Sequence, residues 1–244
     1  MKRFGVLAAF LFFSSSAQAT EGECKRSIPR DAILFQQFNL GADFACLYES
    51  PNSNERATLS FYTRLGDRGI VLSSNNNLLS LGSVKDGTNL PEIIKIERGT
   101  YQVLWLYPNG VDAIELTPIK GGLIFKGATK EIRFPSLGNA EEAKSITLIN
   151  NMKNPEKLAF SDINSSEIFN KRSLKLMGGG VTAKISSAKA FLYSEPSDPS
   201  KTKSYLIAGD EVDILEYKDG FFKISYKMKS GRYLNRWVSM SSVI

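Results

Sequence analysis

Short apolar or alternating runs, separated by turn-forming residues, fill the sequence from residue 27 to residue 150. Typical runs are "FACLYES", "ATLSFYTRL", "YQVLWLY" and "GGLIFKG", and turn-prone segments such as "SPNSN" and "SNNN" separate them. Apolar residues in alternation are typical of half-buried strands, and several short strands at this spacing indicate a β-sandwich or a small barrel. No segment in this region has a convincing helical period. We therefore expect residues 20–150 to form a β-rich sandwich or barrel domain in an all-β protein.

One turn in this region has a specific signature. Asn109-Gly110 lies between the runs "YQVLWLY" and "VDAIEL". Asn-Gly tolerates the positive φ angles that a tight two-residue turn between antiparallel strands requires. The dipeptide therefore predicts a β-hairpin at this position.

Residues 151–180 differ in character from what precedes them. The segment is polar, contains a proline, and ends in the triplet Gly178–Gly180. The stretch Asn164–Glu167 places a polar residue before an acidic one, which is typical of the start of a short helix. We interpret residues 151–180 as a linker with a possible short helix, and we place the domain boundary near the glycine triplet.

The C-terminal segment, residues 181–244, consists of short runs that we interpret as five strands. Turns are expected at Lys218–Gly220 and Lys229–Gly231, where a polar pair precedes a glycine. Four apolar positions suit one inward face: Val212, Ile214, Ile224 and Val238. A small five-stranded barrel is the predicted architecture.

This segment resembles the bacterial Src-homology-3-like (SH3-like) domains of exported proteins. The features that carry the resemblance are "FLYSEPS", "YLIAGDEVDIL", "DGFFKISY" and "RWVSMSSV", in that order. The residues that match the family pattern are Tyr193, Pro196, Gly209, Asp210, Val212, Phe221, Trp237 and Val238. Two positions depart from it, because Phe221 stands where tryptophan is commoner and Arg236 where glycine is usual. The resemblance covers about a quarter of the chain and implies an SH3-like fold for residues 181–244.

The Gly209-Asp210 pair in this segment has a structural interpretation. Glycine permits a turn conformation that is costly for other residues, and aspartate can accept hydrogen bonds from nearby backbone. We therefore expect a bend rather than a catalytic site.

The first residues, "MKRFGVLAAFLFFSSSAQAT", have the pattern of a secretory signal peptide. Lys2 and Arg3 precede an apolar run, and the small residues of "AQA" favour cleavage after Ala19, so residues 1–19 are the predicted signal peptide. The apolar run is shorter than the roughly twenty residues that span a bilayer, although a retained anchor is the alternative. We expect no integral membrane segment after cleavage and a periplasmic or secreted protein.

Cys24 and Cys46 are the two cysteines of the sequence. An oxidising compartment outside the cytoplasm favours a disulfide between them, and this bond would fix the mature N-terminus. The alternative is two free buried thiols. Their spacing does not suggest a metal site.

The sequence contains no histidine. This excludes Ser-His-Asp and Cys-His catalysis and histidine-based metal sites. The formal net charge is +6, of which the signal peptide holds two, so the mature chain is mildly basic. We expect no nucleic-acid partner, no cofactor and no metal, but attraction to an anionic wall polymer or an acidic protein.

The aromatic side chains of the C-terminal segment are the candidate ligand-binding residues: Tyr193, Tyr205, Phe221, Tyr233 and Trp237. In barrels of this kind aromatic clefts can bind peptides or glycan stems, whereas the alternative is that these rings pack in the core. The leading hypothesis is a non-enzymatic cell-envelope protein that binds peptidoglycan or a partner protein. The alternatives are a periplasmic immunity or inhibitor protein that neutralises a toxin or enzyme, and a glycan-cleaving enzyme with unassigned carboxylates.

Overall fold

The structure, a computed structural model, describes residues 22–51, 53, 55–65, 68–88, 90–96, 99–133, 145–150, 152, 155–177 and 181–243. The predicted signal peptide and the glycine triplet 178–180 lie outside these residues. The helices are α1 (Gly22–Ser27) and α2 (Leu81–Lys85), with 3-10 turns at Pro155–Lys157, Phe160–Asp162, Asp198–Ser200 and Met240–Ser242 and a π-type turn at Glu167–Lys171. The strands are β1 (Ile33–Leu40), β2 (Asp43–Glu49), β3 (Arg56–Leu65), β4 (Arg68–Ser80), β5 (Glu92–Lys95), β6 (Tyr101–Tyr107), β7 (Gly110–Ile119), β8 (Gly122–Arg133), β9 (Ser145–Asn150), β10 (Leu174–Leu176), β11 (Val181–Lys184), β12 (Ala190–Tyr193), β13 (Lys201–Leu206), β14 (Glu211–Lys218), β15 (Phe221–Lys227) and β16 (Tyr233–Ser239).

These strands form two antiparallel sheets, so the all-β prediction is confirmed. The smaller sheet has the order β1-β2-β3-β4. The larger sheet has the order β13-β12-β16-β15-β14-β10-β9-β8-β7-β6-β5, and β11 also pairs with β14. The N-terminal and C-terminal strands share this sheet because β10 pairs with β9 on one side and with β14 on the other. The division into two domains near residue 180 stays a prediction.

The main hydrophobic core extends along the sheets from the N-terminal to the C-terminal strands. Phe61 of the smaller sheet packs against Tyr101 of the larger one, with ring centroids 5.1 Å apart, and edge-on against Phe160 at 5.4 Å. The same buried cluster includes Leu192 and Phe222 of the C-terminal strands. The four inward positions that the sequence predicts there are buried, from 0 to 1 % exposed. Apolar burial on this scale is the main stabilising contribution to the fold.

A second, smaller cluster covers the opposite face of the smaller sheet. Helix α1 places Cys24 and Ile28 against Phe44 and Tyr62, whose rings stack with centroids 5.0 Å apart. Strand β2 is therefore buried on both faces, which explains why its sequence is a continuous apolar run rather than an alternating one.

Local details confirm some expectations and correct others. The hairpin between β6 and β7 exists, but its turn lies at Pro108 and Asn109, and Gly110 is already the first residue of β7. Neither Asn109 nor Gly110 has a positive φ, so the predicted reason for the glycine is wrong. Glycine is required because a Cβ at this position would lie 2.0 Å from the carbonyl oxygen of Glu131.

The predicted bend at Gly209-Asp210 is confirmed. Gly209 has φ +91°, and the backbone N–H of Ile207 donates to the Asp210 carboxylate at 2.9 Å. The predicted short helix begins where expected, since Glu167 N–H donates to Asn164 Oδ1 at 3.2 Å. Helices α1 and α2 were missed because a segment of five or six residues is too short to show a helical period.

The predicted disulfide is present: Cys24 and Cys46 are bonded, and the bond joins α1 to β2 across 22 residues of sequence. Closing a loop of this length is expected to stabilise the fold by about 3 kcal/mol, because it restricts the unfolded chain. We expect a Cys24→Ser, Cys46→Ser variant of the mature chain to lose about this much free energy of unfolding in urea. Equal transition midpoints for the variant and the oxidised parent would contradict this assignment.

Candidate functional site

The register of the C-terminal strands places all five predicted aromatic residues on one face of the larger sheet. Trp237 of β16 lies opposite Tyr193 of β12, and Tyr205 of β13 lies opposite Phe191 of β12. Side chains alternate along a strand, so Tyr193 shares the face of Phe191 and Tyr233 shares that of Trp237. Phe221 precedes Lys223 by two residues, and Lys223 is opposite Trp237.

Ring contacts connect several of these side chains. Tyr193 and Phe221 meet edge to face with centroids 5.0 Å apart, and Phe191 and Tyr205 do so at 6.2 Å. Such tilted pairs are favourable arrangements of aromatic rings. The sequence analysis missed Phe191, although its position two residues before Tyr193 in an alternating strand could have identified it.

Lysine side chains lie over these rings. Lys201 Nζ is 3.6 Å from the Phe191 ring centroid, and Lys189 Nζ is 4.2 Å from that of Tyr205. Lys223 Nζ is 5.8 Å from the Trp237 ring centroid. Ammonium groups at these distances are attracted to the negative face of an aromatic ring. We call this surface the aromatic–lysine face: Phe191, Tyr193, Tyr205, Phe221, Tyr233 and Trp237 with Lys189, Lys201 and Lys223.

Exposure differs across the aromatic–lysine face. Tyr205 and Tyr233 are 47 and 63 % exposed, Tyr193 and Phe221 are half-buried, and Trp237 is only 9 % exposed. Trp237 is therefore largely covered by its neighbours, whereas Tyr205 and Tyr233 expose ring surface to solvent. Lys223 is held in place by Glu216, with their charged atoms 3.6 Å apart.

A second cluster lies on the opposite, inward face of the larger sheet. Trp105, Asp112 and Lys130 stand side by side on β6, β7 and β8. Lys130 Nζ donates to both carboxylate oxygens of Asp112, at 2.7 and 2.9 Å. The ammonium also lies 5.6 Å from the ring centroids of Phe169 and Tyr217.

Burial dominates the electrostatics of this ion pair. The side chains of Asp112 and Lys130 are 9 and 15 % exposed. Burial raises the pKa of Asp112 above its ordinary value, and the Lys130 ammonium opposes that effect. Burial and then the Asp112 charge raise the pKa of Tyr107 to about 12.

A third polar cluster joins the two sheets around Asp43. Its carboxylate accepts hydrogen bonds from Thr63 and Tyr101, each at 2.7 Å, and from the Lys95 ammonium. Burial alone would raise the pKa of Asp43, but these donors outweigh it and hold the pKa below its ordinary value. The carboxylate is fully engaged by its neighbours, so its role is to bind the sheets together.

Comparisons with known proteins do not indicate a function, because the chain matches no family model, no curated protein and no solved structure. Within the described residues there is no group of three or more histidine, cysteine, aspartate or glutamate side chains that could hold a metal ion. No helix in the described part of the chain is long and apolar enough to cross a membrane. The function is therefore argued from the clusters above.

The Asp112–Lys130 pair yields a test of pH dependence. A Lys130→Met variant leaves a buried carboxylate without its counter-charge, which typically costs about 3 kcal/mol. The pKa of Asp112 in the folded state then rises further above its unfolded value. The folded state therefore favours protonated Asp112, and the free energy of unfolding falls as pH rises and the carboxyl group ionises. We expect the deficit relative to the parent, measured by urea unfolding, to be larger at about pH 8 than at about pH 5.

Two controls accompany this test. An Asp112→Asn, Lys130→Met variant removes the lone charge, so its deficit should no longer increase as pH rises. Lys126→Met removes an exposed ion pair with Glu115 and should lower the free energy of unfolding by less than about 1 kcal/mol. A deficit that does not change with pH would show that Asp112 is not the group responsible.

Proposed function

We propose that this chain is an exported, non-enzymatic binding protein of the bacterial cell envelope, and that its aromatic–lysine face binds peptidoglycan. The observation that carries the proposal is the shared face of the five predicted aromatic residues, over which three lysines lie. A surface of exposed rings beside ammonium groups suits a ligand with both apolar faces and negative charges.

Peptidoglycan has both chemical features. The C–H faces of its sugar rings are apolar and can pack on exposed tyrosine rings such as those of Tyr205 and Tyr233. The carboxylates of its peptide stems can pair with lysines such as Lys189 and Lys201. Each contact is weak, but a repeating polymer offers many of them to one surface.

Two further observations support the proposal. Five strands of the predicted SH3-like segment lie next to one another in the larger sheet, in the order β13-β12-β16-β15-β14. An antiparallel bridge joins Ile185 near the start of the segment to Val243 near its end. This closure is what we expect of a compact module suited to the proposed SH3-like barrel. The disulfide between Cys24 and Cys46 is of a kind that persists in oxidising compartments, which suits a periplasmic or secreted protein.

Two carboxylates among the described residues, those of Asp43 and Asp112, are poorly suited to glycan cleavage. Asp43 and Asp112 are buried, with 7 and 6 % of the whole residue exposed. Each is engaged by a lysine. Glycan cleavage requires two carboxyl groups that flank the scissile bond, one of them positioned to give up a proton. These two aspartates are held in structural ion pairs instead.

A second candidate function is specific inhibition of a toxin or enzyme by protein–protein contact. One observation favours it: Leu65 and Ile70, which share one face near the end of the β3–β4 hairpin, are 66 and 53 % exposed. Neighbouring exposed apolar side chains are typical of protein interaction sites. An inhibitor of this kind would bind one protein tightly and would not bind the cell wall.

Co-sedimentation of the mature protein with purified peptidoglycan sacculi, at low salt and at about 1 M salt, tests the proposal. We expect a Lys201→Ala, Tyr205→Ala variant to lower the affinity about tenfold, because it removes one ring that packs on a sugar and one ammonium that pairs with a carboxylate, and a loss of about 1.4 kcal/mol is tenfold. Both side chains are exposed but contact the Phe191 ring, so the stability of this variant is measured first by urea unfolding, and we expect it to remain folded.

The matched control is Ile119→Ala, Lys120→Ala, which removes an exposed apolar residue and a lysine from the turn between β7 and β8. We expect it to sediment like the parent. If the parent stays in the supernatant at both salt concentrations, or if the two variants bind equally, peptidoglycan binding by this face is wrong and the inhibitor function takes its place.

A further inference from the structure

A polar groove lies where the end of β4 meets strands β6 and β7 and the segment 164–170. It consists of two adjoining cavities of about 250 and 480 Å³, which share Leu78, Ser80 and Ser166 in their walls. Sites for small molecules have volumes of about 300–1,000 Å³. The groove is thus large enough for a ligand of several rings, and its walls contain none of the residues of the aromatic–lysine face.

One end of the groove is aromatic. Trp105, Tyr107 and Phe169 line the first cavity, and the rings of Trp105 and Phe169 meet edge to face with centroids 6.2 Å apart. Trp105 is 5 % exposed and fixed by the core, whereas Tyr107 at the rim is 37 % exposed. Phe169, at 4 % exposed, is buried like Trp105, so Tyr107 is the ring that can contact a ligand at this end.

The rest of the groove is lined by neutral hydrogen-bonding groups. The hydroxyls come from Ser80, Ser83, Ser165 and Ser166, and side-chain amides come from Asn77, Asn164 and Asn170. The Ser165 hydroxyl donates to the carbonyl oxygen of Leu78 at 2.9 Å, which orients its lone pairs to accept from a ligand. Hydroxyls and amides both donate and accept, and so they match a ligand whose own groups do both.

Three charged side chains line the groove, Asp112, Arg56 and Glu55, and Glu55 is exposed in the wall of the second cavity. Asp112, in the wall of the first cavity, is bound by Lys130 through both oxygens. Arg56, in the wall of the second, donates to the carbonyl and side-chain oxygens of Asn77, at 3.3 and 3.4 Å. An anionic ligand would meet the carboxylates of Asp112 and Glu55, and a cationic one would compete with Lys130 for Asp112. The groove therefore favours a neutral ligand whose hydroxyls donate to these oxygens.

We infer that this groove binds a neutral saccharide, with one sugar ring against Tyr107 at the aromatic end and its hydroxyls on the serine and asparagine side chains. The Asp112 carboxylate offers about four lone-pair sites, of which Lys130 uses two, so it can accept further bonds from sugar hydroxyls. Hydrogen bonds to an ionised carboxylate are stronger than those between neutral groups. This inference does not depend on wall binding by the aromatic–lysine face.

The two tryptophans of the chain, Trp105 and Trp237, give the site a selective optical probe. A Trp237→Phe background leaves Trp105 as the single tryptophan, and its fluorescence then reports on the groove alone. Titration with the trisaccharide of N-acetylglucosamine, with maltotriose and with cellotriose should produce a saturable change for at least one of the three. Sodium acetate and lysine amide serve as charged probes, and we expect no saturable change with either.

Two variants in the same turn locate the effect. Ser166→Phe fills the groove where its two cavities join and should lower the affinity at least tenfold. Glu167→Phe adds the same ring at the next residue, which is also exposed but does not line the groove, and should leave the affinity unchanged. Calorimetry with the same two substitutions in protein that keeps Trp237 should give the same order of affinities.

Several results would overturn the inference. These are the absence of a saturable change with all three trisaccharides, equal affinities for Ser166→Phe and Glu167→Phe, or saturation by a charged probe. The outcome is separable from the sacculus experiment, because that experiment depends on Lys201 and Tyr205. Ser166→Phe should sediment with sacculi like the parent even where it no longer binds the trisaccharide.

Discussion

The larger sheet depends on one strand of three residues. Strand β10 pairs with β9 along one edge and with β14 along the other, and so joins the strands before residue 180 to those after it. Its first residue, Leu174, is fully buried in the main core, and its second, Lys175, lies opposite Glu216 on the outward face. A short central strand of this kind is stabilised by burial on its inward side rather than by its own few hydrogen bonds. Without it β9 and the second half of β14, whose first half pairs with β11, would expose unpaired edges.

The sequence predicted what depends on local pattern. Alternating apolar residues identified strands, and the inward positions Val212 and Ile224 are correct because alternation alone decides which side chains share a face. The pairing of Cys24 with Cys46 followed from there being two cysteines in a chain that the sequence predicts to be exported. The strand order could not be predicted, because the pairing of distant segments such as β10 and β14 does not change the hydrophobic pattern of either strand.

The Asp112–Lys130 pair shows where pattern reasoning missed a candidate site. The two residues are 18 positions apart and become neighbours only through the register of β7 against β8. One signal was present: Asp112 occupies an inward position in the alternation that places Ile114 and Leu116 in the core. A charged residue at such a position is costly to bury without a partner, and so it indicates a specific ion pair or a binding role.

Strand β14 links the two candidate sites physically. Glu216 faces outward and holds Lys223, the lysine that lies over Trp237 in the aromatic–lysine face. Tyr217, the next residue, faces inward beneath Lys130 and packs against Phe222 with ring centroids 5.9 Å apart. Because consecutive side chains of a strand point to opposite faces, one short stretch supports the outer binding surface and the ion pair beside the groove. The two surfaces lie on opposite faces of one sheet, so if both proposals hold, a ligand on the outer face would leave the groove accessible to a second, different ligand.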